Sequence, residues 1–355
     1  MEWTFRPGGD PLGTHRVVSP RGALPQAADV LDPSLPAFAS EVLLAVDCLN
    51  IDAASFVQLE SMAALAPNPT VAEQILAIVA RAGKMHNPVT GSGGMLLGRI
   101  LATGPAYDGP LRGLPPGTRV ATLVSLTLTP LHLQAIRAVR PHAHQVEVTG
   151  HAFLPSSAPA AAIPDDLHPT LTLAVLDVCG APALCERLAA RLPANGDVLV
   201  LGAGKAGTLA LAAMRRARPD LHLWAIDRYE APLAEVHAAG LCNGTVALDA
   251  ADALAVRGQV QAWTAGRLCD AVVHMTSLPG SEMAAILACK SRGTCLYFGM
   301  ATSFPRVALG AEGVGADVEL IIGNGYATGH AQAAMELVRA MPEVKLLLER
   351  RLGLK

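Results

Sequence analysis

Two patterns of apolar spacing divide the chain. In the first, short runs rich in β-branched residues are cut by Pro and Gly: "HRVVSP" (15–20), "EVLLAVDCLNID" (41–52), "MLLGRILATG" (95–104) and "RVATLVSL" (119–126), with the turn-forming "RGLPPGTRV" at 112–120. Such runs predict strands, and together a β-rich, barrel-like unit. Within it "PTVAEQILAIVARA" (69–82) sets Val71, Ile75, Ile78 and Val79 on one face, so one helical insertion is expected there.

From residue 165 onward the period changes. "DLHPTLTLAVLDVCGAPALCERLAARL" (166–192) reads as helix, with a break expected near Gly180 and Pro182. Strands "DVLVLG", "LHLWAIDR", "GTVALD", "CDAVVHMT" and "GTCLYFGM" then alternate with helices "GTLALAAMRRA", "APLAEVHAAG" and "SEMAAILACK". This alternation predicts an α/β fold built on a doubly wound parallel sheet. The end, 329–352, reads as one or two amphipathic helices.

Two glycine clusters interrupt these patterns and differ in context. "VLVLGAGKAGTLALAAM" (198–214) has a strand before it and a helix after it, the setting of a nucleotide loop. Gly202 allows the tight turn, Gly204 lets backbone approach a pyrophosphate, and Gly207 lets helix pack on strand. Asp227 ends the next strand, 20 positions past Gly207 (227 − 207), at the offset of a ribose-binding carboxylate. A bare strand-to-helix turn would need none of these together. The cofactor set expected is Gly202, Ala203, Gly204, Lys205, Ala206, Gly207, Asp227 and Arg228, with Thr276 and Gly299. Asp227 favours NAD, whereas a guanidinium at Arg228 would accommodate NADP as a poorer alternative. The other cluster, "NPVTGSGGMLLGRI" (87–100), is followed by a strand-like run and is no nucleotide loop.

Composition narrows the class. The 355 residues suit two domains, and 51% hydrophobic against 16% charged residues suits core-rich units. No run reaches the roughly 18 apolar residues of a membrane helix, and "MEWTFRPGGDPLG" lacks the apolar core of a signal peptide. A soluble cytoplasmic protein is expected. A net charge of −3, with no basic block longer than "RRAR" (215–218), argues against nucleic acid. Seven cysteines without a C-x-x-C argue against a disulfide framework or a zinc knuckle.

A barrel-like half followed by a nucleotide-binding half resembles the medium-chain dehydrogenases/reductases. "EVLLAVDCLNIDAASF", "GRILATGP", "LPPGTRVATL" and "ANGDVLVLGAGKAG" carry the likeness. It implies a GroES-like catalytic domain over 1–172, a Rossmann NAD-binding domain over 173–320, and a helical segment, 321–355, packing back near the first domain. Zinc members hold a ligand His within a Gly-His-Glu segment where this chain has Ser92 and Gly93. Cys48 and Cys179 fall near the remaining ligand positions, but two thiols without that His are read as core cysteines. The four-cysteine lobe is missing as well, so a metal-free enzyme is expected. The first glycine loop is then read as a substrate grip of backbone N–H groups with Thr90 and Ser92.

A narrower resemblance rests on "LNIDAASF" (49–56), "HNPVTGSGGMLLG" (86–98), "ATLVSLTLTPL" (121–131) and "LAVLDVCGAPA" (173–183). These stretches look like L-erythro-3,5-diaminohexanoate dehydrogenases of lysine fermentation. That likeness implies NAD-dependent oxidation of a 3-amino to a 3-oxo group, releasing ammonia, on a small amino acid substrate. It also suits a homo-oligomer, dimer or tetramer. Such chemistry needs a base near C3 to take the ammonium proton and later to activate water. Three residues are candidates. Asp177 occupies the position that approaches the nicotinamide in the resembled superfamily, or merely caps backbone. Asp52 faces the same cleft, or forms an Asx turn. His86, unperturbed, titrates near pH 6.5. Lys84 is the candidate for the substrate carboxylate unless it is an ordinary surface lysine, and Glu60 for the 5-ammonium. Asn50 completes the substrate set, while Ser125, Thr127 and Thr129 offer hydroxyls. A zinc-free quinone or enoyl reductase and a non-catalytic NAD(H) sensor are the rival readings.

Overall fold

A computed structural model of the protein describes residues 3–354 except Ala66, Thr90, Val124, Met300 and Ala301. The chain forms two compact units, residues 1–173 and 174–355.

In the first unit β1 (Val17–Ser19) and β2 (Val30–Leu31) make a small antiparallel ribbon. The main elements are β3 (Glu41–Asn50), α1 (Ala53–Ala63), α2 (Val71–Ala82), β4 (Met95–Thr103), β5 (Arg119–Thr122), β6 (Leu131–Arg140), β7 (Gln145–Pro155) and β8 (Ala160–Ala162). The strands form one antiparallel sheet in the order β6-β7-β3-β4-β5-β8. Alternation selects one face for the core, where Val42, Leu44, Val46, Leu96, Ile100, Val120 and Val148 are buried together. A bulge between Val46 and Cys48 shifts the register of β3. The predicted helix is α2, closed by a capping box between Thr70 and Glu73. Helix α1 was not expected; its Phe56 and Leu59 join Ile75, Ile78 and Val79 in the core. Under β3, Arg16 and Glu41 form a buried ion pair at 2.7 Å, with the Arg16 guanidinium 3.8 Å from the Phe153 ring centre.

The second unit begins inside α3 (Pro169–Leu176), followed by α4 (Gly180–Ala189). The helical break expected near Gly180 and Pro182 lies at Asp177–Cys179. Gly180 opens α4 because a Cβ there would stand 2.6 Å from the Gly325 carbonyl oxygen. Next come β9 (Asp197–Leu201), α5 (Lys205–Ala217), β10 (His222–Asp227), α6 (Glu230–Ala238), β11 (Gly244–Ala247) and α7 (Ala253–Trp263). The remainder is β12 (Cys269–His274), α8 (Glu282–Ala288), β13 (Cys289–Tyr297), α9 (Phe304–Gly313), β14 (Glu319–Ile322), α10 (His330–Ala340) and α11 (Pro342–Arg351). The sheet is parallel in the order β11-β10-β9-β12-β13-β14, and the strand order reverses between β9 and β12. That reversal opens the crevice in which doubly wound sheets bind ligands. Helices α10 and α11, expected as a separate segment, belong to this unit. The apolar stripe Ala331, Ala334, Met335 and Val338 is buried as α10 packs on α4 and α5. Among the described residues no helix is long and apolar enough to cross a membrane.

Candidate active site

The second glycine cluster joins β9 to α5, as its sequence context predicted, and so lies at the switch point. Gly202 has φ +100°, a conformation that L side chains rarely adopt. A Cβ on Gly207 would fall 1.8 Å from the Gly202 carbonyl oxygen, so only glycine lets α5 start this close to β9. The Cβ position of Gly204 meets nothing within 4 Å, which leaves the space beside the loop open. The first-turn N–H groups of α5, on Lys205, Ala206 and Gly207, have no intrahelical acceptor. Free N–H groups at the positive end of a helix suit an anionic phosphate.

Asp227 ends β10 as expected and is tied to the loop, its Oδ2 accepting from Ala203 N at 2.8 Å and its Oδ1 from Tyr229 N at 3.0 Å. Arg228 is exposed, with its guanidinium 5.4 Å from the Tyr229 ring centre. Thr276 and Gly299 meet at the ends of β12 and β13. A Cβ on Gly299 would stand 2.2 Å from the Thr276 carbonyl oxygen, and Gly202 approaches the Thr276 amide from β9. All ten residues expected for the cofactor therefore belong to this unit.

Asp177 sits in the break between α3 and α4, not inside a helix. Its Oδ2 accepts from Lys205 Nζ at 2.5 Å, joining the break to the glycine loop. Both side chains are partly exposed, 22% for Asp177 and 33% for Lys205, so the pair remains open to small molecules. His274, not singled out from the sequence, is buried at the end of β12. Its Nε2 lies 2.8 Å from Ser281 Oγ, and its Nδ1 has no partner among the described residues. Burial pushes its pKa down to about 4, against a smaller opposing effect of Glu282. The sequence signal was a histidine inside the apolar run "AVVHM" (271–275).

In the first unit the end of β3 gathers several of the other candidates. A Cβ on Gly94 would stand 2.0 Å from the Asn50 carbonyl oxygen, and one on Gly93 2.2 Å from that of Met85. Leu126 N donates to the Gly94 carbonyl at 2.7 Å, which brings in the 125–129 segment. Gly93 and Gly94 are thus required by close backbone packing, and Gly91 by its φ of +71°. Asn87 fastens the loop by donating to Gln58 Oε1 at 2.9 Å while its amide donates to the Ser92 carbonyl at 2.8 Å. Asn50 Oδ1 accepts from Gln145 at 3.3 Å. Thr90 lies outside the described residues. Ser92 and Glu60 are half-buried. Ser125 caps a 3-10 turn in which Thr127 and Thr129 are buried.

Asp52 caps α1, its Oδ1 accepting from Ser55 N at 2.9 Å. Its other oxygen, Oδ2, is buried without a partner among the described residues, and so is Nδ1 of His86. Burial, reinforced by neighbouring Lys84, lowers the pKa of His86 and favours its neutral form. Lys84 requires a correction. It is 1% exposed, and its Nζ donates to the carbonyls of Pro25, at 3.1 Å, and Ala28. A buried ammonium needs such acceptors, so Lys84 is committed to the fold and is no free cation for a substrate. Burial pushes the Cys48 thiol up to about 11 and the Cys179 thiol up to about 12, which disfavours thiolate at neutral pH. Among the described residues no three His, Cys, Asp or Glu side chains gather as a metal site requires.

An antiparallel β-rich unit followed by a doubly wound parallel-sheet unit is a fold shared with solved oxidoreductases. A Pseudomonas syringae quinone oxidoreductase aligns with a TM-score of 0.56 at 16% identity over 90% of each chain. A zinc-dependent alcohol dehydrogenase from Streptococcus pneumonia aligns with a TM-score of 0.56 at 12% identity, covering 89% of this chain and 85% of that one. Residues 15–164 match the family described as L-erythro-3,5-diaminohexanoate dehydrogenase N-terminal domain. An L-erythro-3,5-diaminohexanoate dehydrogenase from Acetoanaerobium sticklandii is 40% identical over 344 residues, 96% of this chain and 98% of the relative. Another of that name, from Fusobacterium nucleatum, is 39% identical over 93% of this chain and 95% of its own length. The chain belongs to the L-erythro-3,5-diaminohexanoate dehydrogenase family, and it is an oxidoreductase.

Proposed function

We propose that the protein oxidises L-erythro-3,5-diaminohexanoate at C3, using NAD and water and yielding 5-amino-3-oxohexanoate, ammonia and NADH. The observation that carries this reading is the Lys205–Asp177 pair, which ties a partly exposed carboxylate to the loop whose free N–H groups fit a dinucleotide. Family membership supplies the substrate class. When bound, the nicotinamide accepts the hydride leaving C3. The chain's own residues do the rest. Lys205, Ala206 and Gly207 would hold the pyrophosphate on their backbone N–H groups, and Asp227 would take the adenine ribose. Asp177 takes the proton from the 3-ammonium, since only the neutral amine gives up hydride, and then activates the water that replaces nitrogen. Lys205 holds that carboxylate in place.

The test is an assay of the purified protein with L-erythro-3,5-diaminohexanoate. Equal amounts of NADH and ammonia are expected, with slower turnover on NADP. Reduction of quinones or enoyl thioesters, without either product from the diamine, would overturn the reading.

A further inference from the structure

The first unit carries a second concentration of charge that this reaction does not use. On the face of the sheet opposite the core, β3 to β7 and the start of α3 enclose a cleft of about 600 Å³. Four guanidinium groups line it, those of Arg99, Arg119, Arg137 and Arg140, against two carboxylates, Asp47 and Glu147. Each carboxylate is already taken. Asp47 accepts from Arg99 at 2.7 Å, and Glu147 pairs with Arg140. Among the described residues Arg137 reaches only a backbone carbonyl, that of Asp47 at 3.3 Å. Arg119 has no ion-pair or hydrogen-bond partner for its side chain among the described residues. The cleft thus keeps two uncompensated positive charges.

Their placement does not serve stability. Arg99 and Arg119 are directly opposite one another across the antiparallel β4–β5 pair, and like charges so placed destabilise a sheet. Pro169 and Thr170, at the N-terminus of α3, also line the cleft and add the positive end of a helix. We infer that this cleft is a binding site for a small phosphate-bearing molecule. Guanidinium forks match phosphoryl oxygens in pairs. A phosphomonoester carries roughly −1.5 to −2 at neutral pH, which balances the two free arginines where a single carboxylate would leave one unpaired.

The test is calorimetric titration of the full chain with inorganic phosphate at low ionic strength. Binding is expected, and Arg119→Gln with Arg137→Gln should weaken it at least about tenfold. Lys205→Gln, in the glycine loop of the other unit, should leave that affinity in place. Arg119→Lys keeps charge but loses the fork, so an intermediate loss is expected. Absence of binding overturns the proposal. So does an affinity that the double substitution leaves unchanged, which would place the anion elsewhere, or an Arg119→Lys protein that binds like the parent. Citrate binding as tightly as phosphate would overturn the phosphoryl assignment. Should the double variant misfold, Arg137→Gln alone, which removes a single backbone contact, reads the same loss.

Discussion

Asp177 and Lys205 illustrate how little one residue's neighbours in sequence say about its work. They are 28 positions apart, yet they meet at 2.5 Å. As a partly exposed pair, they contribute at most about 1 kcal/mol to stability. Their substitution therefore separates structural from catalytic roles. Asp177→Asn should unfold within about 1 kcal/mol of the parent and keep its KM for NAD, while kcat falls at least about a hundredfold. Lys205→Gln should instead raise the KM for NAD. Near-normal kcat in Asp177→Asn would remove it as the base and leave Asp52 and His86 to be tested. Asp227 carries a second prediction. Because it also accepts from Ala203 N, Asp227→Asn is a cleaner change than alanine, removing charge while keeping an acceptor. The ratio of kcat/KM for NADP over NAD should rise about tenfold or more, since a 2′-phosphate no longer meets a carboxylate and Arg228 stands beside it. An unchanged ratio would take Asp227 out of the ribose site.

Elements with a clear period or a glycine signature could be read in advance, and those without one could not. The β9–α5–β10 unit follows from "VLVLGAGKAG", and the same geometry makes a test. With 1.8 Å available, Gly207→Ala must push α5 away from the loop, so NAD affinity should fall at least about tenfold. Tight NAD binding in that variant would show that the loop tolerates a wider mouth. Helix α1 was missed because "AASFVQLESMA" alternates buried Phe56 and Leu59 with exposed Val57 and Met62. Its available signal was Asp52 as N-cap. Strands β6 and β7 escaped because charged residues face outward in "LHLQAIRAVR" and "QVEVTGHAFLP". For the site, the glycines and Asp227 were legible because local backbone needs dictate them. Lys84 was not: its acceptors, Pro25 and Ala28, lie 59 and 56 positions away, and sequence alone shows a lysine, a residue type almost always exposed. The Lys205–Asp177 pair was invisible for the same reason.

At the scale of the whole molecule, each unit buries a titratable group whose folded pKa is depressed, and the two are depressed over different ranges. In the second unit burial holds His274 at about 4, against 6.5 ordinarily. Its neutral form is the folded one, so its contribution is present above pH 6.5 and lost as pH falls toward 4. The full loss, reached once His274 is protonated in the folded as well as the unfolded chain, corresponds to about 3 kcal/mol. In the first unit burial alone would raise Glu41, but hydrogen bonds from Arg16 and His15 outweigh it and hold the carboxyl at about 2, against 4.5 ordinarily. That contribution is complete above pH 4.5 and lost only as pH falls toward 2. His15 works at the other end. Burial would lower it, yet Glu41 and Asp10 raise its pKa, so its contribution is present below 6.5 and lost as pH rises through the raised value. Acid should therefore weaken the second unit as pH falls from 6.5 toward 4. Trp224 and Trp263, stacked with ring centres 5.0 Å apart, report on that unit. Between pH 6.5 and 4 their fluorescence in urea titrations should show a midpoint that falls with pH. His274→Gln should lower stability overall and flatten that slope, because the titrating group is gone. An unaltered slope in His274→Gln would sink the assignment of this acid loss to His274.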